Sequence, residues 1–392
     1  MGVPNLKEKA ARRRRAHRFE FNCFLEMIQQ SQSIKRLREA FRKNHLTVYV
    51  GAGASVASGV PLWDRLVLSL FINSLKIRER DDAEFPIMRM ATGKRWFEKN
   101  RGPLEVAARS LRTSFRSSNE FMEMVRFGLY QNLGFDDRGY PAPWVYPFLR
   151  RNKTLSAIVK LCRRTKPDKT GLRAVVTYNL DGLLELALGS YPVQTLWKQT
   201  ARKPGTLPIY HVHGYVPFRE STKQIKPTMG STPDEIVLTE DQYHREAADP
   251  YSWSNLTQLQ SMSNSVGLTA GLSLSDPNMR RLLDVTRKAP SRPEIYALLE
   301  RPEVGELDEA GVEEVGKLAL ENLDFYDQWF KSPLPRPDLK SAKWRKNVQK
   351  TWQDLERMCF QREVSVLRDL GVEPIWCKHA EIPKIVERIV RN

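Results

Sequence analysis

Three short stretches of this chain place residues able to bind a nucleotide or move a proton beside turns that could expose them. The first is Val50-Gly51-Ala52-Gly53-Ala54-Ser55, which follows a β-rich run and opens toward Val56-Ala57-Ser58-Gly59-Val60-Pro61. Glycines there let the backbone turn sharply and approach a pyrophosphate, whose charge suits the exposed N–H groups of a helix start. A full dinucleotide fingerprint needs a glycine where Val56 stands, and no Gly-Lys-Ser/Thr follows to make a P-loop. Taken alone, the turn reads as a phosphate cradle or as a structural strand-to-helix corner. Second, Asn179 and Asp181 lie just past a hydrophobic run, where α/β sheets present ligand-binding residues. An amide and a carboxylate two apart can share one ligand, but both types are also favoured helix N-caps. Third, His211 and His213 alone among six histidines sit on an expected strand near a glycine turn. A neutral imidazole near pH 7 suits general-base work. Alternation places both on one strand face, so periodicity does not choose between them.

The elements that must position these residues follow from the apolar pattern. Strands are expected over 46–50, 173–177, 209–213, 235–238, 265–271 and 294–299, with helical patterns between several of them. That alternation predicts an α/β fold, a Rossmann-like, mostly parallel sheet. A helix is expected over 33–44, with Ile34, Leu37 and Phe41 on one face. Another starts near Trp63 and carries Leu66, Leu70, Phe71 and Leu75. Residues 81–146 are basic and irregularly helical without a clear strand, so a helical insertion is expected over about 65–155. Two later helices carry Val312, Val315, Leu318, Leu323, Tyr326 and Phe330, then Trp344, Val348, Trp352, Leu355 and Cys359. Pro333, Pro335 and Pro337 separate them. A last strand over 372–377 and a last helix over 382–390 could rejoin the sheet. The organisation expected is a basic extension over 1–30, a core over 31–301 and a helical C-terminal segment over 302–392.

The 392 residues are 41% hydrophobic and 28% charged, a globular composition, with a net charge of +17. Part of that charge sits in Arg12-Arg13-Arg14-Arg15, with Lys7, Lys9 and Arg18 beside it. Such a patch attracts nucleic acid or an acidic partner, or is a solvated arm. Cys23, Cys162, Cys359 and Cys377 are too widely spaced for the CxxC pairs of a zinc site, so no zinc is expected. Sparse thiols, no apolar stretch after the arginines and no eighteen-residue apolar run point to a cytoplasmic protein without a membrane span.

Taken together and in order, four motifs resemble those of the sirtuin family. They are GAGASVASGVPLW from Gly51, Thr177-Tyr178-Asn179-Leu180-Asp181, Val212-His213-Gly214, and Gly271-Leu272-Ser273-Leu274-Ser275-Asp276-Pro277-Asn278. The Asp-Pro-Asn form of the last is similar to the prokaryotic sirtuin-like subgroup. The resemblance implies that NAD is bound as a substrate, with Gly51, Ala52, Gly53, Ser55, Pro61, Trp63, Thr177, Asp181, Gly214, Gly271 and Ser273 around it. It implies Asn179 toward the ribose or its water, Asp181 toward the carboxamide, and His213 as the base, leaving His211 as a core histidine. Trp63 would wall the nicotinamide end or serve as a core aromatic. The chain departs from deacylating sirtuins in lacking four zinc cysteines and in having Leu62 where those enzymes commonly have aspartate. Protein deacylation is thereby put in doubt, while NAD cleavage is not. The subgroup implies an NAD hydrolase of antiviral defence, homo-oligomeric and activated by a separate partner, such as a HerA-type hexameric DNA-translocating ATPase or an Argonaute. The alternatives are an ADP-ribosyl or deacyl transferase with a protein acceptor, and a non-catalytic nucleotide-sensing subunit that binds nucleic acid.

Overall fold

The computed structural model describes residues 29–75, 84–133, 149–218, 230–288, 294–323 and 336–391. The arginine-rich arm, Cys23, Tyr326 and Phe330 lie outside the described residues. Helix α1 (residues 29–42) buries Ile34, Leu37 and Phe41, and Asn44 ends it in the left-handed conformation at φ 53°. Strand β1 (Leu46–Val50) follows, buried along its whole length. Beyond it come α2 (Gly53–Val56), α3 (Trp63–Ser74), α4 (Glu84–Asn100), α5 (Leu104–Arg112), α6 (Ser118–Tyr130) and α7 (Lys153–Arg163). Then β2 (Leu172–Thr177), α8 (Leu183–Leu188), β3 (Val193–Leu196) and β4 (Leu207–His211) lead to α9 (Glu240–Ala248) and α10 (Trp253–Asn264). Strand β5 (Val266–Ala270), α11 (Pro277–Arg287) and β6 (Ile295–Leu299) complete this run.

The seven strands form one sheet in the order β3-β4-β2-β1-β5-β6-β7, and every pairing is parallel. β7 (Val372–Trp376) adds beside β6, and α14 (Ile382–Val390) follows it. The fold is the expected α/β, Rossmann-like one with inserted and appended helices. Its apolar strands are buried because helices cover both faces of a parallel sheet. Helix α14 shows the pattern clearly: Ile382, Ile385, Val386 and Ile389 share one face, and all four are buried. Residues 301–369 form a separate compact unit containing α12 (Glu309–Glu321) and α13 (Ala342–Asp369). Within it, the Leu307 N–H donates to Gln349 Oε1 at 3.0 Å and the Gly305 N–H to Glu356 Oε2 at 2.9 Å.

Two expectations are corrected, and one strand is added. The strand expected over 209–213 runs instead from Leu207 to His211, so His213 lies past its end in a turn. Residues 235–238 are not a strand, although Ile236, Val237 and Leu238 are buried. The Val237 N–H donates to the His213 carbonyl, and the Leu238 N–H to Gln242 Oε1, as the chain enters α9. The edge strand is β3, whose Val-Gln-Thr-Leu is too short and half-polar to stand out as a pattern.

Candidate active site

Because all strands are parallel, the loops after β1, β2, β4 and β5 leave the sheet at one edge. The strand order reverses at β1, and the crevice at such a reversal is where open α/β sheets bind ligands. Two glycine turns meet there. The Gly53 N–H donates to the Gly271 carbonyl at 2.9 Å. A Cβ on Gly51 would lie 2.5 Å from that carbonyl oxygen, and a Cβ on Gly271 would lie 2.2 Å from the Ala54 nitrogen. Gly271 also has φ +64°, the left-handed region that favours glycine. The glycines are therefore required by backbone packed on backbone, whatever ligand the turn also holds. Asn152 fixes the same turn from α7, its buried Nδ2 donating to the Ala54 carbonyl and to Ser58 Oγ, each at 2.8 Å.

From this turn Ser55 reaches the loop after β2. Its Oγ donates to Asp181 Oδ1 at 3.2 Å and accepts from Asn179 Nδ2 at 3.1 Å, and all three residues are buried. Since the single hydroxyl proton goes to the carboxylate, the amide must present its Nδ2 to Ser55. That leaves Asn179 Oδ1 buried with no partner among the described residues. Thr177 anchors the backbone by accepting the Asn179 N–H on Oγ1 at 3.1 Å. Asp181 also accepts the Leu183 N–H at 3.0 Å at the start of α8, so it does the local work of a helix cap as well. Burial pushes its carboxyl up to about 6, against the lowering effect of those two hydrogen bonds. The inserted helix α6 props up this loop. The buried Tyr130 hydroxyl accepts the Gly182 N–H at 2.9 Å and donates to the Val216 carbonyl.

The two histidines diverge. His211 Nδ1 meets the Asn179 carbonyl at 3.0 Å and Nε2 meets Glu185 Oε1 at 2.7 Å. A carbonyl only accepts, so Nδ1 is the donor there, and both ring nitrogens are engaged by the protein itself. This is a satisfied core histidine, and it holds the Asn179 backbone. His213 is also buried, yet its Nε2 has no hydrogen-bond partner among the described residues. The nearest carboxylate is Asp276, with Oδ2 at 3.6 Å. Tyr178 and Tyr243 present their ring edges, with centroids 5.1 and 5.8 Å from the imidazole. Tyr243 in turn stacks obliquely on Trp63 at 5.7 Å, and the Trp63 Nε1 is likewise buried without a partner. Gly214 is needed after His213 because its φ is +93° and a Cβ would lie 2.8 Å from the Glu235 carbonyl.

Of the expected site residues, Gly51, Gly53, Ser55, Thr177, Asn179, Asp181 and Gly271 are joined by these direct contacts. Trp63 connects to His213 through Tyr243. Ala52 lies in the first glycine turn, and Pro61 is a partly buried link into α3. Ser273 is exposed on the second turn, where its Oγ meets Ser275 Oγ at 2.6 Å and reaches none of the others. Tyr243 and Asp276 carry no assigned role in the sequence reading. Ser275-Asp276-Pro277 does announce a helix start, and Asp276 Oδ1 caps α11 by accepting the Met279 N–H at 2.7 Å. Its approach to His213 is tertiary and leaves no local signal. On the far side of the His213 loop, Val212 and Val237 help line an open cavity of about 520 Å³ with Trp197 and Trp253 in its walls. The described residues contain no group of three potential metal ligands.

No curated protein matches the chain. Residues 173–323 match the family described as the SIR2-like domain. The matched segment contains Asn179, Asp181, His213 and Gly271, while Gly51, Gly53 and Ser55 precede it and are joined to it by the contacts above. Residues 173–323 are therefore similar to a SIR2-like domain, the kind of domain that the sirtuin family carries.

Proposed function

We propose that the protein is an NAD glycohydrolase that cleaves NAD with water to nicotinamide, ADP-ribose and a proton. The observation that carries this reading is the buried Asn179 Oδ1 beside the two glycine turns, which has no hydrogen-bond partner among the described residues, with the buried imidazole of His213 in the loop after β4. Leaving such an atom unpaired costs about 1–3 kcal/mol, so its retention favours a ligand that completes the bonding. Asn179 would accept from a ribose hydroxyl or the attacking water. His213 would take the proton, and Trp63 would close the nicotinamide end. The glycine turns would face the phosphates, and Gly271 and Ser273 the adenosine. Raised toward neutrality by burial, Asp181 would serve the carboxamide through Ser55 or directly.

The prokaryotic subgroup that the motifs resemble suggests a defence effector held inactive until a partner, a HerA-type ATPase or an Argonaute, engages it. A homo-oligomer in the cytoplasm and a nucleic-acid contact through the arginine arm belong to the same proposal. A second reading, transfer of ADP-ribose to a protein acceptor, draws on the cavity beside Val212 and Val237, which offers room for an acceptor side chain. Incubation of the purified protein with NAD, alone and with candidate partners, should release nicotinamide and ADP-ribose in equal amounts. Nicotinamide release with ADP-ribose found on protein instead would favour transfer. No nicotinamide under any condition would overturn both readings.

A further inference from the structure

We propose that Asp276 is a positioning residue for His213, forming a carboxylate–imidazole pair across two loops. The inference rests on the reading of His213 as the base. Asp276 Oδ2 stands 3.6 Å from His213 Nε2, with both side chains largely buried, and Oδ1 is held separately by the Met279 N–H. Hydrogen bonds of this kind are often long without ligand and tighten when the base takes up its proton. Burial first, then the nearby Asp276 charge, pushes the Tyr243 phenol up. The phenol therefore stays protonated beside that carboxylate. Among the described residues, the polar groups facing the imidazole are Asp276, Tyr243 and Tyr178, whose hydroxyl is engaged by Gln258 at 2.7 Å.

An ionised carboxylate beside Nε2 favours the tautomer protonated there. The lone pair is then on Nδ1, and the imidazolium formed during reaction is stabilised. A bare N-cap would need neither the second oxygen nor the histidine. The two roles can be separated because asparagine caps a helix about as well as aspartate, whereas alanine does not.

In Asp276→Asn the melting temperature should match wild type, while kcat falls about ten- to a hundred-fold with KM little changed. The acid limb of the kcat profile should move to lower pH, because losing a nearby negative charge eases deprotonation of the imidazolium. Nitrogen-15 NMR of the His213 ring, with His213→Ala assigning the signals, should show Nε2 protonated in wild type and that preference weakened in Asp276→Asn. Asp276→Ala should show the same defect plus lower stability. An Asp276→Asn enzyme with wild-type kcat, pH profile and ring tautomer would overturn the proposal. So would activity lost only in step with stability across both variants. If wild type never cleaves NAD, the glycohydrolase reading fails by itself, and the tautomer still decides for or against the Asp276–His213 pair.

Discussion

His211 and His213 are two residues apart, equally buried by type, and surrounded in opposite ways. Around His211 the chain supplies a carbonyl and a carboxylate at hydrogen-bonding distance, and the ring serves to hold the loop after β2. Around His213 it supplies aromatic edges and a carboxylate just too far to bond. The turn that begins at Val212 separates the two environments, since β4 ends at His211. A histidine that completes the protein's own bonding contributes stability, whereas one left incomplete favours a ligand. The same contrast applies in the loop after β2, between Asp181, which is bonded to Ser55 and Leu183, and Asn179, whose Oδ1 has no partner among the described residues.

The largest effect expected from this contrast is on rate. His213→Ala should lower NAD cleavage by about a hundred- to ten-thousand-fold, the usual value of a general base, with thermal stability unchanged. His211→Ala should do the reverse, losing about 2–4 kcal/mol by stranding Glu185 and the Asn179 carbonyl. Steady-state rates and melts of both variants would break the comparison if the two lost activity and stability alike.

Next in size is the glycine corner. Gly271→Ala should cost about 2–5 kcal/mol, because its Cβ would collide with the Ala54 backbone and its φ is left-handed. Gly205→Ala isolates the conformational part: its φ is also positive, at +71°, but none of the described residues lies within 4 Å of the added carbon. It should cost only about 1–2 kcal/mol in a denaturant melt. Equal losses would mean that the two turns do not interlock as described.

Asp181 sharpens the contrast through pH. Its carboxyl, ordinarily near 3.8, is raised to about 6 in the fold. The protonated form is thus favoured when folded, so this group's contribution is fully present below pH 4 and is lost as pH rises through 6. The span corresponds to about 3 kcal/mol. Asp181→Asn should therefore match wild type near pH 4 and exceed it in stability near pH 7. A stability difference that does not vary with pH would show that Asp181 titrates normally.

Most of the frame was legible in the sequence because β1, β2 and β5 are short, mostly apolar, β-rich runs ending at glycine or a polar cluster. The motif residues were legible for the same reason: Gly51, Asn179, His213 and Gly271 follow strand ends. Residues 235–238 misled because burial, not pairing, explains their apolar character. Tyr243 lies in a polar helix, and Asp276 reads locally as a cap; only tertiary packing brings either to His213. The glycines were legible as a turn, but not as a contact between two turns more than two hundred residues apart in sequence.

The most direct test compares nicotinamide release by wild type, His213→Ala, His211→Ala and Asn179→Ala under identical activating conditions, with each variant's folded fraction measured alongside. Corrected for folded protein, His211→Ala should stay within about ten-fold of wild type, since its part is to hold a loop. Asn179→Ala should fall about a hundred-fold or more through loss of positioning, and the double variant with His213→Ala should be less than additive. If His213→Ala stayed fully active while His211→Ala lost its activity, or if both Asn179→Ala and His213→Ala stayed fully active, the account would be contradicted.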